Sequence, residues 1–183
     1  MIERWIIFLG LSIPVILISW RTMFNLKSHG FFRLLSLECI IWILSNNYRY
    51  WFREPFSMLQ ILSWLFLVIS LYLVIAGVVM MKKTGKSSRP RGDKELYRFE
   101  KTTELVDSGI FRYIRHPLYS SLLFLTWGIY LKHTTWQLLI FAELSTLFLY
   151  LTSVFDEKET LAYFGESYGD YMKKSKRFIP FVF

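Results

Sequence analysis

The chain has 183 residues, of which 54% are hydrophobic and 19% aromatic, and carries a formal net charge of +8. That composition excludes an ordinary soluble globular domain and reads as an all-α, multi-pass membrane helical bundle forming one domain over residues 1–183. The single cysteine, Cys39, excludes an internal disulfide and a cysteine-rich metal centre, and no metal is expected.

Five membrane helices are predicted in chain order. The first, residues 5–20, lies between Arg4 and Arg21. It is preceded only by Arg4 opposed by Glu3, with no small-residue cleavage site, so it reads as an anchor rather than a secretory signal. The second, 34–48, lies between Arg33 and Arg49 with Glu38 inside, and snorkelling arginines extend both short spans. The third, 55–81, has no charged side chain and is long enough for a tilted helix across about 30 Å of hydrocarbon. These three helices, 1–81, form the expected scaffold.

After the third helix, Lys82 to Arg91 is rich in cations and holds Gly85 and Pro90, which predicts an irregular juxtamembrane loop drawn to anionic headgroups. The fourth span, 117–131, is joined to the fifth, 134–155, by a tight reversal at Lys132 and His133. Five spans collect every Lys and Arg except Arg4, Arg49, Arg53 and Lys132 on one side. The positive-inside rule then puts the amino terminus outside and the carboxyl terminus in the cytoplasm of a cell-membrane protein. The net charge thus reflects topology and a bilayer partner, and no nucleic acid is expected. Beyond the last span, Leu161, Phe164, Tyr168 and Tyr171 make one aromatic stripe on a cytoplasmic amphipathic helix. Gly165 and Gly169 weaken that helix by about 1 kcal/mol each relative to alanine, so tertiary contacts or a ligand must help hold it.

The unusual chemistry falls in two patches. Gly109 releases the chain from regular structure, and Pro117 suits the first turn of the fourth helix, which sets His116 at a helix entrance. Free N–H groups and the positive dipole end there favour an anionic group, such as the carboxylate of an amino-acid-like cofactor, with Arg115 and Tyr119 close by. The second patch, Asp156 and Glu157, is expected to end the fifth helix, where the dipole disfavours carboxylates, so a cationic ligand, ribose hydroxyls or Arg115 should compensate. An antiparallel helix pair returns both patches to one membrane face and makes them one candidate site. The competing reading has Arg115 as an interfacial anchor, His116 as a cap and the acids as a solvated cluster with Lys158. Glu143 lies near the middle of the last span, where an ionised side chain costs at least about 3 kcal/mol. It is expected to face protein or a cavity in an interhelical bond.

Leu105, Val106, Gly109, Phe111 and the run from Arg115 to Tyr119, followed by Asp156, Glu157, Phe164, Gly165, Tyr168, Tyr171 and the run from Arg177 to Pro180, form an ordered set. Over residues 96–180 this set resembles the isoprenylcysteine carboxyl methyltransferase family and the related phospholipid N-methyltransferases. The resemblance implies an integral membrane enzyme that uses S-adenosyl-L-methionine and methylates a lipophilic small molecule, the carboxylate of a prenylcysteine-like compound or another small lipid. A phospholipid amine is the alternative acceptor. Carried over by motif position, Thr103, Glu104, Leu105, Val106 and Phe111 surround the adenosine, while His116, Pro117, Leu118 and Tyr119 hold the methionine part. Asp156 and Glu157 complete the cofactor site. Arg115 and Glu157 are the expected catalytic residues, Arg115 as a cation for a carboxylate acceptor and Glu157, or Asp156 beside it, as a proton acceptor for an amine.

Two positions depart from the pattern. Thr152 stands where the family has an arginine that orients the acceptor, which leaves a carboxylate acceptor to Arg115 or another cation, and Ser121 stands where glycine is common. No GxGxxG follows a strand, which excludes a conventional dinucleotide fold. The rival readings are a nicotinamide-dependent isoprenoid or sterol reductase, whose group has a larger helix count, and a non-catalytic membrane scaffold.

Overall fold

A computed structural model describes residues 2–26, 28–84 and 104–181. Thr103 and the cationic stretch after Thr84 lie outside the described residues. Among the described residues six α-helices follow one another: α1 (Ile2–Ser19), α2 (His29–Asn47), α3 (Met58–Thr84), α4 (Pro117–Tyr130), α5 (Trp136–Phe164) and α6 (Glu166–Lys174). Among the described residues there is no strand, only an isolated parallel bridge between Ile114 and Lys176. The chain is an all-helical membrane bundle.

Local chemistry sets the helix starts. The Ser28 hydroxyl accepts the Gly30 N–H at 3.1 Å to begin α2, and the Thr135 hydroxyl accepts the Leu138 N–H at 3.3 Å to begin α5. Pro117 occupies the first turn of α4, as expected for a residue with no N–H to leave unpaired. By length and apolarity α1, α3 and α5 suffice to cross a membrane. The 19-residue α2 carries Arg33 and Glu38 and is largely interior, while the 14 residues of α4 reach only about 21 Å at 1.5 Å each.

Helices α1 and α3 turn large apolar side chains outward, among them Ile6, Leu17, Leu65, Val68 and Leu71. Such a surface suits lipid rather than water. Inside, lipid gives no hydrophobic drive for helix association, and small hydroxyl residues supply close contacts and hydrogen bonds instead. The Ser145 hydroxyl of α5 lies 2.9 Å from Ser36 of α2 and 3.0 Å from Thr126 of α4. Ser63 and Ser70 of α3 donate to the carbonyls of Gly128 and Ser121 at 2.6 and 2.7 Å, so α3 lies along α4 while α2 lies along α5.

The reversal between α4 and α5 is pinned by residues far away in sequence. The Asn47 amide donates to the carbonyls of Ile129, Tyr130 and His133 at 2.8, 3.3 and 3.2 Å, closing the end of α4. Lys132 is buried, with its ammonium 3.1 Å from Gln60 Oε1 and 3.6 Å from the centre of the Trp64 ring. Burial pulls the Lys132 ammonium below its ordinary pKa.

Three expectations are corrected. Helix α5 does not end at the acidic pair but continues to Phe164, because Glu, Lys, Leu and Ala after Asp156 propagate a helix well. The carboxylates therefore sit inside the helix, away from its negative end. The aromatic stripe is not on one helix: Gly165, with φ of 63° and ψ of −139°, breaks it, leaving Leu161 and Phe164 on α5 and Tyr168 and Tyr171 on α6. Finally, Glu143 is exposed on the outer side of α5, because the buried face runs through Leu138, Ala142, Ser145 and Leu149, and Glu143 is turned away from it.

Candidate active site

The geometry begins with the short segment before α4. Gly109 has φ of 59° and opens a 3₁₀ turn, Gly109–Arg112, that drives Phe111 into the interior. A left-handed glycine suits this turn, and its bare Cα lies against the Met80 side chain of α3. The chain then runs beside the tail. Lys176 N–H donates to the Tyr113 carbonyl at 3.0 Å, Arg115 N–H to Lys176 at 2.7 Å, and His116 N–H to Arg177 at 3.2 Å. This pairing brings Arg115, His116 and Arg177 together at the end of the bundle where α4 begins and the polar stretch of α5 arrives.

His116 is buried and faces two acids. Its Nδ1 lies 3.4 Å from Asp156 Oδ2 and its Nε2 3.2 Å from Glu157 Oε1. Both ring nitrogens can donate only in the imidazolium form. Burial pulls its pKa down, but the hydrogen bonds and charges of Asp156 and Glu157 outweigh burial and hold it above the ordinary value. The Tyr119 ring stacks on the imidazole, with centroids 5.3 Å apart.

Glu157 is the hub of the cluster. Its carboxylate accepts from Arg115 Nε at 2.9 Å and from Arg177 Nε at 3.1 Å, with a second Arg177 bond at 2.5 Å, in addition to His116. Arg115 also donates from Nη1 to the carbonyls of Met172 and Ser175. The guanidinium of Arg177 lies over the Tyr150 ring at 5.2 Å. A carboxylate held by this many charge-assisted donors is a fixed anion that organises the tail rather than a free proton acceptor.

Beside the cluster is a cavity of about 110 Å³. The segment before α4 contributes Leu105, Val106 and Phe111 to its wall, the entrance of α4 contributes Pro117, Leu118 and Tyr119, and Arg115, His116 and Asp156 form its polar end. The structure thus gathers most of the sequence-predicted residues around one space. Glu104 is exposed and is not among the lining residues, and Glu157 lies behind the wall, buried by its partners. Residues with no site role assigned from sequence also line it: Met81 and Thr160, together with Phe164, Tyr168 and Tyr171 of the expected aromatic stripe. The Tyr171 hydroxyl donates to the Phe111 carbonyl at 2.6 Å, and burial raises the pKa of both tyrosines, keeping them neutral.

The amino-terminal half reaches the same end of the bundle. His29, fully buried at the start of α2, has Nδ1 2.7 Å from Glu159 Oε2, and its backbone N–H donates to Glu159 Oε1 at 3.3 Å. Phe32 of α2 stacks on Phe155 of α5, with centroids 5.1 Å apart. These contacts join the acidic stretch of α5 to α2.

Among the described residues no cluster of potential metal ligands occurs. No solved structure matches the chain. The methanethiol S-methyltransferase of Crocosphaera subtropica is 31% identical over 72 residues, which cover 39% of this chain and 28% of that protein. The chain therefore matches under a third of the length of that relative. The family model described as phospholipid methyltransferase matches residues 58–170, more than half of the chain, from the start of α3 to Asp170 within α6. The protein belongs to the phospholipid methyltransferase family of membrane methyltransferases.

Proposed function

We propose that this membrane methyltransferase uses S-adenosyl-L-methionine as donor and methylates a lipophilic small molecule that arrives from the bilayer, with the cofactor site and carboxyl terminus facing the cytoplasm. The observation that carries this reading is the cavity between α4 and α5, where apolar side chains adjoin the Arg115, His116 and Asp156 cluster inside the family-matched span. This donor set fits the cofactor's chemistry. Leu105, Val106, Phe111 and Phe164 offer apolar contact to an adenine ring, His116 and Arg115 offer positive charge to a carboxylate, and Asp156 offers negative charge to an ammonium or acceptance to ribose hydroxyls.

When bound, the cofactor supplies an activated methyl group on a sulfonium, with a neutral thioether as leaving group. The chain's own work is alignment and exclusion of water. Glu157 fixes Arg115, Arg177 and His116 relative to one another, so it acts chiefly as a positioning residue. Asp156, which lines the cavity, is better placed than Glu157 to take a proton from an amine acceptor. Thr152, at the position of the family's arginine, is buried and donates to the Phe148 carbonyl of its own helix at 2.7 Å. A carboxylate acceptor therefore falls to Arg115 or to Arg177, a cation for which the sequence reading gave no role. A cavity of about 110 Å³ is below the roughly 300–1,000 Å³ of ordinary ligand sites, so in this reading its wall opens further when the donor binds.

Incubation of the purified protein in vesicles with methyl-labelled donor and host lipid extract tests this reading. A thiol, an amine and a prenylcysteine-like carboxylate serve as defined acceptors, the thiol because of the methanethiol enzyme's likeness. Label in an apolar product supports the proposal. Absence of transfer to the extract and to all three acceptors contradicts it.

A further inference from the structure

A second, larger cavity among the described residues lies at the opposite end of the bundle. It has a volume of about 530 Å³ and is bounded by the first turn of α1, the end of α2 and the start of α5. The α4–α5 reversal borders it, so it is separated from His116 by the whole length of α4. Its rim is polar, with Arg4, Asn46 and Gln137, and its floor is apolar, with Trp42, Ile140 and Phe141.

The charge of this cavity is one-sided. No acidic residue lines it, and among the described residues Arg4 makes no ion pair with a carboxylate. Its neighbour Glu3 is taken by Tyr48 and Arg49. The hydrogen bond that Arg4 makes is a long one, from Nη1 to Asn46 Oδ1 at 3.5 Å, and its Nε is buried without a partner. Asn47, fully buried on the same wall, spends its amide N–H groups on three carbonyls and leaves Oδ1 without a donor. Arg4, with a buried nitrogen short of an acceptor, and Asn47, with an amide oxygen short of a donor, both belong to the lining of this cavity. Leaving such buried groups unmade is costly.

Water would satisfy the polar rim but would wet the Trp42, Ile140 and Phe141 floor. A lipid of the adjoining leaflet satisfies both. We propose that this cavity binds an anionic phospholipid whose headgroup carries hydroxyl donors, with its phosphate on Arg4, a headgroup hydroxyl toward Asn47 Oδ1, and an acyl chain along Ile140 and Phe141. A cationic headgroup is disfavoured because the cavity has no carboxylate to receive it. The site is independent of the methyl-transfer cavity, and such a lipid has no amine to be methylated.

Native mass spectrometry of the whole protein, released from detergent after exchange with defined lipids, tests the proposal. Phosphatidylglycerol is expected to be retained at one molecule per chain, and phosphatidylcholine, which lacks a headgroup donor, about tenfold less. Arg4→Gln is expected to lower phosphatidylglycerol retention about tenfold, the worth of one charge-assisted hydrogen bond, with helix content unchanged by circular dichroism. Ile140→Ser, at an outward position of the floor, is expected to weaken retention through the acyl chain without touching the rim. Equal retention of the two lipids, or no change in both variants, overturns the site. Binding of soluble glycerophosphoglycerol as tight as that of the lipid overturns the assignment to a membrane ligand.

Discussion

His116 Nδ1 and Asp156 Oδ2 lie 3.4 Å apart, joining the entrance of α4 to the polar part of α5 across a long interval of sequence. With Glu157 on the other ring nitrogen at 3.2 Å, the imidazole is clamped between two acids that favour its protonated form. The contact turns a helix hairpin into a site.

This clamp has a pH signature. The folded pKa of His116 is raised above 6.5, so its contribution to stability is fully present below pH 6.5 and is lost as pH rises through the folded value. Wild-type protein is therefore expected to exceed His116→Gln in thermal stability most at acidic pH, with the gap narrowing as pH rises. Melting curves in detergent across that range provide the check; a constant or widening gap would show that the imidazole is not held as a cation.

Glu157→Gln removes the anion shared by Arg115, Arg177 and His116 while keeping the side chain's shape. Breaking a buried pair of this kind costs about 3–5 kcal/mol, because the cations left behind remain partly desolvated. The expected outcome is a clearly lowered melting temperature and weakened donor binding. An unchanged melting temperature would mean that the tail is held by its backbone pairing alone.

Gly165 occupies a backbone region nearly restricted to glycine, and nothing lies within 4 Å of a Cβ built there. Gly165→Ala is thus strained by conformation and not by contact, at about 1–3 kcal/mol. Because α6 carries Tyr168 and Tyr171 to the cavity, donor affinity is expected to fall about tenfold with helix content unchanged. Equilibrium binding and circular dichroism on the same sample separate these effects.

Ser145 tests the scaffold independently of the site. Ser145→Ala deprives Ser36 of its bond, while Thr126 keeps the one it donates to the Leu122 carbonyl at 2.8 Å. A stability loss of about 1 kcal/mol with unchanged donor affinity is expected. A large loss of affinity would show that this hydroxyl group also controls the distant cavity.

Much of the bundle was legible because its signals are local: uncharged length for α3, proline at a first turn for α4, and the Lys132 and His133 gap for the reversal. Helix α5 runs past its expected end at Asp156 and Glu157 because polar residues mark the edge of lipid but do not end a helix, and the backbone of Gly165 ends it. Glu143 was misplaced because charge cost indicates where a carboxylate is unfavourable, not which way a helix face turns. Arg177 was visible in a motif, yet its partnership with Glu157 depends on the tail running beside residues 113–116, a pairing of single residues with no periodic trace. The His29–Glu159 contact and the Asn47 closure of α4 are likewise long-range, and neither residue stands out in sequence from an ordinary cap or interface residue.

Calorimetric titration of S-adenosylhomocysteine into the purified protein, run beside NADPH and repeated with Asp156→Asn and His116→Gln, bears most directly on the cofactor site. One equivalent of S-adenosylhomocysteine is expected to bind the wild type, with NADPH inert and both variants at least tenfold weaker. Binding of NADPH alone, or unchanged S-adenosylhomocysteine affinity in both variants, would contradict a methyl-donor site between α4 and α5.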